Sequence, residues 1–201
     1  MTTAAAIGRD ERRALLRLAR AAVMARLTGT PPPPLPMGMP RLEERQGAFV
    51  TLRLAGALRG CIGVVEPART LADTVVSCAA AAATEDPRFP SLRIEEIPGI
   101  SIEITALAAP EAVTDTGTII LGRHGLMVDA PDRRGVLLPQ VATEQGWNVE
   151  TFIRETLLKA GLPPDALRRK AARLLRFEAE IISEEEIEPT GAGSGSRLRS
   201  P

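Results

Sequence analysis

The chain has no tyrosine, and aromatic residues make up only 2% of its 201 positions. A core without rings must be built from Leu, Ile, Val and Ala, so the spacing of these aliphatic residues carries most of the structural signal. Cysteine is also scarce. Cys61 and Cys78 are too few for a disulfide framework, and no Cys-x-x-Cys or Cys/His spacing suited to zinc occurs. Lysine is limited to Lys159 and Lys170; the other basic residues are arginine. Arginine suits phosphate and carboxylate recognition, although a coding bias toward GC-rich codons would give the same composition. The 25 basic and 25 acidic residues cancel. That removes the net field expected of a broad nucleic-acid surface. No run approaches the roughly 18 apolar residues of a membrane span, and Met1 to Arg9 has no apolar signal core. A cytoplasmic protein with reduced thiols and no membrane contact is expected. Neither common glycine-rich phosphate loop is present, and no cofactor follows from the sequence.

A chain of this length makes one domain, or two small lobes sharing a core, and buries roughly 70% of its unfolded surface without staples. Asp10 to Leu27 has an amphipathic helical pattern, with Leu15, Leu18, Ala19, Ala22 and Val23 on one stripe, Asp10 as N-cap and Gly29 as stop. Thr30 to Pro36 is a proline-rich extended connector. Ala48–Leu54 and Ala57–Ile62, with Gly56 between them, form a β-hairpin pattern. Thr70 to Ala83 predicts a second helix, started by Thr70 or Asp73. Asp86 to Pro90 is a turn bracketed by prolines. Ile100 to Leu107 alternates as a half-buried strand. Shorter strands are expected at Thr118–Leu121, Leu126–Asp129 and Gly135–Leu138. Asn148 to Ala160 predicts a third helix, Pro164 to Ala171 a short fourth, and Arg173 to Ile182 a last strand. Hairpins mixed with three to four helices give an α+β class with a mainly antiparallel sheet. The expected organisation is a disordered segment over 1–9, a folded domain over 10–183, and a flexible tail over 184–201.

Several residues are candidates for chemistry. Gly60 and Gly63 flank Cys61-Ile62 in a segment read as a turn at a strand end. Arg59, two residues before Cys61, would share its face and favour a thiolate. Cys61 is therefore a candidate nucleophile; the alternative is a small buried apolar residue. His124, the single histidine, is a candidate base or a hydrogen-bonded turn residue. Gln140 and Glu144, in a loop beside Trp147, are candidates for binding a polar ligand, or Glu144 for serving a helix start. Arg88 either holds an anion or pairs with Asp86 or Glu85.

Three segments then stand out together: Gly47-Ala48-Phe49-Val50-Thr51-Leu52, Leu58-Arg59-Gly60-Cys61-Ile62-Gly63 and Asp86-Pro87-Arg88-Phe89-Pro90. Ile102 to Leu107, Gly122 to Leu126, Gly135 to Glu144, Gly146-Trp147, Lys159 to Leu162 and Arg176 to Ala179 follow in order. This series resembles the AMMECR-domain family, also called protein A of the AmmeMemoRadiSam system, from about Asp10 to Ile182. Two positions depart from the family pattern: Asn148 stands where Asp is common, and Leu158 where Cys is common. Asn still caps a helix. Leu158 removes a second thiol from any shared chemistry. The resemblance implies an α+β fold with a larger and a smaller lobe and a cleft between them, with the Cys61 segment central. It also implies work alongside a radical S-adenosylmethionine protein and a Memo-type protein.

Two functional expectations follow. In one, a cleft around Cys61, with Arg59, Gly60, Gly63, Arg88, Gln140, Glu144 and Trp147 as ligand-binding residues, acts on a small polar or nucleotide-like molecule. In the other, the chain is a non-catalytic adaptor for partner proteins.

Overall fold

The computed structural model describes residues 6–184. Arg9–Thr28 forms α1, and the predicted stripe of Leu15, Leu18, Ala19, Ala22 and Val23 is its buried face. Its N-cap is Gly8 rather than Asp10. The Glu11 carboxylate accepts the Gly8 N–H at 3.0 Å, and Asp10 sits in the first turn, where acid complements the helix dipole. Gly29 ends the helix at φ 69°. Order extends further toward the N-terminus than expected. Ile7 is 3% exposed, and its N–H donates to the Glu180 carboxylate at 3.2 Å. The proline run leads into a short α2 at Pro40–Glu43, which starts on proline, a residue suited to the first helical position.

The hairpin consists of β1, Gly47–Leu54, and β2, Ala57–Val64. Ala55 and Gly56 between them have φ 50° and 80°, the left-handed pair that matches hairpin twist. Next come α3 at Leu71–Thr84, β3 at Ile100–Leu107, a two-residue β4 at Glu111–Ala112, β5 at His124–Asp129 and β6 at Arg134–Leu137. Pro139–Glu144 is α4, Val149–Lys159 is α5, and Arg173–Ser183 is β7. The sheet order is β2-β1-β3-β7-β5-β6, with β4 also on β7, and the pairings are antiparallel.

One long strand joins two lobes. The first half of β7 pairs with β5, from Arg173 opposite Asp129 to Glu178 opposite His124. Its second half pairs with β3, from Ala179 opposite Leu107 to Ser183 opposite Glu103. In the larger lobe α1 and α3 cover the inner face of β1, β2 and β3 around Leu15, Val50, Leu52, Val75, Ile102 and Ile104. The smaller lobe packs α5 on β5 and β6 around Leu126, Val128, Phe152 and Leu157. A third cluster, Leu107, Met127 and Phe177, lies where the halves of the sheet meet. Burying each large aliphatic side chain contributes about 1.5–3 kcal/mol, so methyl packing suffices without rings in most of the core.

Two expected elements are absent. Thr118–Leu121 is not a strand. Asp115 accepts the Gly117 N–H at 2.9 Å and holds Thr116–Thr118 in a 3-10 turn, and Gly122 then turns the chain at φ 81°. Pro164 to Ala171 is a series of turns rather than the expected short helix. Its backbone hydrogen bonds span three, four, three and then five residues, and Lys170 has φ 55°. The predicted tail lies outside the described residues apart from Glu184, whose carboxylate binds Arg20 and accepts the Ile102 N–H.

Candidate functional site

The segment Leu58 to Gly63 is not a turn. It runs through the middle of β2, the edge strand of the sheet. Its glycines answer to packing on the two faces. A Cβ on Gly60 would lie 2.1 Å from the Ala82 carbonyl oxygen of α3, so the helix backbone rests directly on the strand. A Cβ on Gly63 would lie 2.2 Å from the Phe49 ring on the opposite face. Cys61 shares Gly63's side by strand alternation and therefore faces away from α3. The Thr51 hydroxyl donates to its Sγ at 3.4 Å, and the residue is half-buried.

The free edge of β2 is closed by the turn after α3. The buried Asp86 carboxylate accepts the Cys61 N–H at 2.8 Å, the Arg88 N–H at 3.1 Å and the Arg88 guanidinium at 2.7 Å. The guanidinium gives Asp86 a further bond from Nε at 2.9 Å and reaches the Cys61 carbonyl at 3.4 Å. The Arg88 hydrogen bonds hold the Asp86 carboxyl far below the usual carboxylate range. Arg88 thus satisfies an internal acid and a strand carbonyl. Of the residues read from sequence, Cys61, Gly60 and Arg88 are brought together here. Asp86 is the member that sequence reading named as a turn residue and one possible partner of Arg88, but not as the acceptor of the Cys61 N–H. An Asp two positions before a loop N–H is an Asx-turn signal that could have found it.

Arg59 does not share the Cys61 face. The register shifts between Leu52 and Arg53, because Leu52 faces Gly60 and Arg53 faces Leu58. Arg59 is the extra residue of a β-bulge, which re-aims its side chain. Its guanidinium donates to the Glu96 carboxylate at 2.8 Å and to the Pro90 carbonyl at 2.8 Å.

The remaining candidates belong to the smaller lobe. His124 begins β5, with β1, β3 and β7 between it and β2 in the sheet order. Its Nδ1 accepts the Ile120 N–H at 2.9 Å, which leaves Nε2 to carry the proton. Burial, reinforced by Arg176, lowers its pKa below the ordinary histidine value. Gln140 and Glu144 lie in α4 rather than a loop, with Glu144 exposed. The Gln140 Oε1 is buried without a partner among the described residues. Trp147 packs on the smaller lobe's core. None of these converges on Cys61.

Between the lobes lies a cavity of about 410 Å³. Val64 and Val65, at the end of β2, form one apolar side, and Thr74, Ser77 and Cys78 of α3 form another. Charge comes from Glu66, Arg69 and, across from the smaller lobe, Arg134. Cys78 is buried, and burial pushes its thiol up to about 11, so it is an apolar wall rather than a nucleophile. Arg134 donates to Glu66 at 2.6 Å and to Asp129 at 2.8 Å. Asp129 also binds Arg173 at 2.7 Å, and the hydrogen bonds from Arg134 and then Arg173 hold its carboxyl below its ordinary value. Arg69 is exposed and makes no side-chain hydrogen bond or ion pair among the described residues. Sequence reading did not single out these walls, because Arg69 and Arg134 are far apart in the chain and no local pattern joins them. Among the described residues, no group of three or more His, Cys, Asp or Glu is placed to hold a metal ion, and no helix is long and apolar enough to cross a membrane.

A protein of Methanothermobacter thermautotrophicus is 43% identical to this chain over 188 residues, covering 90% of this chain and 98% of that relative. A protein of Pyrococcus furiosus is 42% identical over 185 residues, covering 85% and 87%. The crystal structure of an uncharacterized protein from Pyrococcus horikoshii superposes with a TM-score of 0.77 at 38% identity, covering 85% of this chain and 90% of that one. The AMMECR1 family model matches residues 16–182, from α1 to the end of β7, and so takes in both lobes, the edge strand with its Asp86 clamp, and the cavity. The chain belongs to the AMMECR1 family.

Proposed function

We propose that this chain binds a small polar molecule in the cavity between its lobes and serves as a binding component, in which Cys61 is not a nucleophile. The observation that carries this reading is Arg69, a cation with no side-chain partner among the described residues, on the wall of a cavity of about 410 Å³. Small-molecule sites are typically about 300–1,000 Å³, mostly apolar, with a few placed polar groups. Val64, Val65 and Cys78 supply the apolar surface here, and Thr74, Ser77 and the two arginines supply the polar groups. Around Cys61, Arg59 is bonded to Glu96, and Arg88, which lies beside the Cys61 side chain, is bonded to Asp86; neither arginine is a base that could take the thiol proton.

Thermal unfolding against a panel of small polar metabolites tests the reading, because a ligand of the folded state raises the midpoint by mass action. Ser77 lies exposed on α3 and lines the cavity, so Ser77→Phe blocks it at little cost to the fold. The expected result is a metabolite that stabilises the native chain and Cys61→Ser alike, and that Ser77→Phe does not bind. A metabolite that stabilises Ser77→Phe equally would place the site elsewhere. The family resemblance extends the proposal to joint work with a radical S-adenosylmethionine protein and a Memo-type protein. Co-purification from cells expressing all three tests that extension.

A further inference from the structure

Resting on that reading, we infer that the cavity takes an anion, a carboxylate or a phosphate, and that Glu66 occupies the anion's place on Arg134. The cavity has cations on two walls, and they are in different states. Arg69, beside the N-terminus of α3, has no side-chain partner among the described residues. Arg134, at the start of β6, is shared between Asp129, its neighbour on the β5-β6 hairpin, and Glu66, which follows β2 in the other lobe. The two acids differ in how firmly they are held. Asp129 is mostly buried, with 16% of its side chain exposed, and is also bound by Arg173. Glu66 is 67% exposed and has Arg134 as its one side-chain partner among the described residues.

An exposed ion pair of this kind contributes little and is readily exchanged. An incoming carboxylate or phosphate offers Arg134 the same oxygen geometry and reaches Arg69 as well, which Glu66 does not. Arginine's planar fork favours such two-point capture. The Ser77 hydroxyl on α3 can donate to a remaining oxygen, whereas the Thr74 hydroxyl is already given to the Gln46 carbonyl at 3.1 Å; Val64 and Cys78 receive an apolar remainder. Glu66 is then a built-in competitor. It keeps Arg134 neutralised in the empty state, links the lobes across the cavity mouth, and sets a threshold that only a ligand also engaging Arg69 passes.

The experiment follows backbone amide signals of Thr74, Ser77 and Cys78 by nuclear magnetic resonance in the full chain. Inorganic phosphate, succinate and, as an uncharged probe, glycerol are titrated separately. Phosphate or succinate is expected to shift these amides saturably, and whichever binds more tightly identifies the phosphate or the carboxylate source. Glu66→Gln is expected to tighten that anion at least fivefold, and Arg69→Ala to weaken it at least tenfold. Both positions are exposed, so both variants fold. Saturable shifts with glycerol but neither anion overturn the inference and leave the cavity reading standing. Anion binding unchanged in Glu66→Gln overturns the competitor role. No response to any of the three probes, in native chain or Glu66→Gln, removes the anion assignment, and the metabolite panel then judges the cavity separately.

Discussion

The carbonyl oxygen of Ala82 occupies the space a Gly60 side chain would fill, 2.1 Å from the position of a Cβ. Because the obstruction is backbone, no rotamer change relieves it. Gly60→Ala is expected to lower stability by about 3 kcal/mol, the upper part of the usual overpacking range. At Gly63 the obstruction is the Phe49 ring, at 2.2 Å. A side chain can yield, so Gly63→Ala should cost less, and Phe49→Leu should offset part of the loss. Chemical denaturation of the single and double variants measures both. Equal costs at the two glycines would contradict the distinction between backbone and side-chain obstruction.

Asp86 gives the fold an acid-sensitive joint. Its folded pKa is depressed, chiefly by Arg88, so its stabilisation is complete above the unfolded value of about 3.9 and fades as pH falls below it. Asp86→Ala leaves the Cys61 N–H without this acceptor, which costs about 1–3 kcal/mol for a buried donor. Asp86→Asn retains an acceptor and should cost less. Stability measured from pH 7 down to about pH 2 should fall more steeply in the native chain than in Asp86→Asn. Parallel curves would show that the carboxylate is not the titrating joint.

As the single histidine, His124 can be followed without assignment. Burial lowers its folded pKa, so its contribution to stability is full above the unfolded value of about 6.5 and is lost as pH falls through the folded value. A proton titration should give a midpoint below about 6.5, with nitrogen shifts of the Nε2–H form at neutral pH. A midpoint above the ordinary value would mean that Glu178, whose Oε1 is 4.0 Å from Nε2, outweighs burial.

The two thiols should react at different rates. Cys61 is half-buried, whereas Cys78 is buried with its thiol pushed up to about 11. A disulfide reagent at neutral pH should label Cys61 first and reach Cys78 only on unfolding. Cys61→Ser should then remove the native-state label while leaving the denaturation midpoint nearly unchanged. Rapid native labelling of Cys78 would mean that the cavity opens wide enough to expose α3.

Local periodicity made much of the fold legible. Ile100 to Leu107 alternates, and β3 has those bounds. The stripe on α1 and the caps at Thr70 and Asn148 were readable because helix starts are satisfied by nearby side chains: Thr70 accepts the Asp73 N–H at 3.2 Å and Asn148 the Thr151 N–H at 2.8 Å. Elements that depend on distant partners were not readable. Ile119, Ile120 and Leu121 have strand composition but no strand beside them, and the His124 ring fixes the Ile120 N–H in a turn.

By itself the sequence determined the α+β class, the hairpin through Gly56, the main helices and the family, because these rest on short-range spacing and on the order of motifs along the chain. Tertiary structure alone decided what the Leu58 to Gly63 segment is. Its two glycines suggest a turn until the Ala82 carbonyl and the Phe49 ring are seen pressing on opposite faces of a strand. It also decided that Arg59 leaves Cys61 at a bulge, and that Arg69, Glu66 and Arg134 meet around one cavity. These are contacts between residues far apart in the chain, fixed by packing two lobes on the shared strand β7, and no local pattern encodes them.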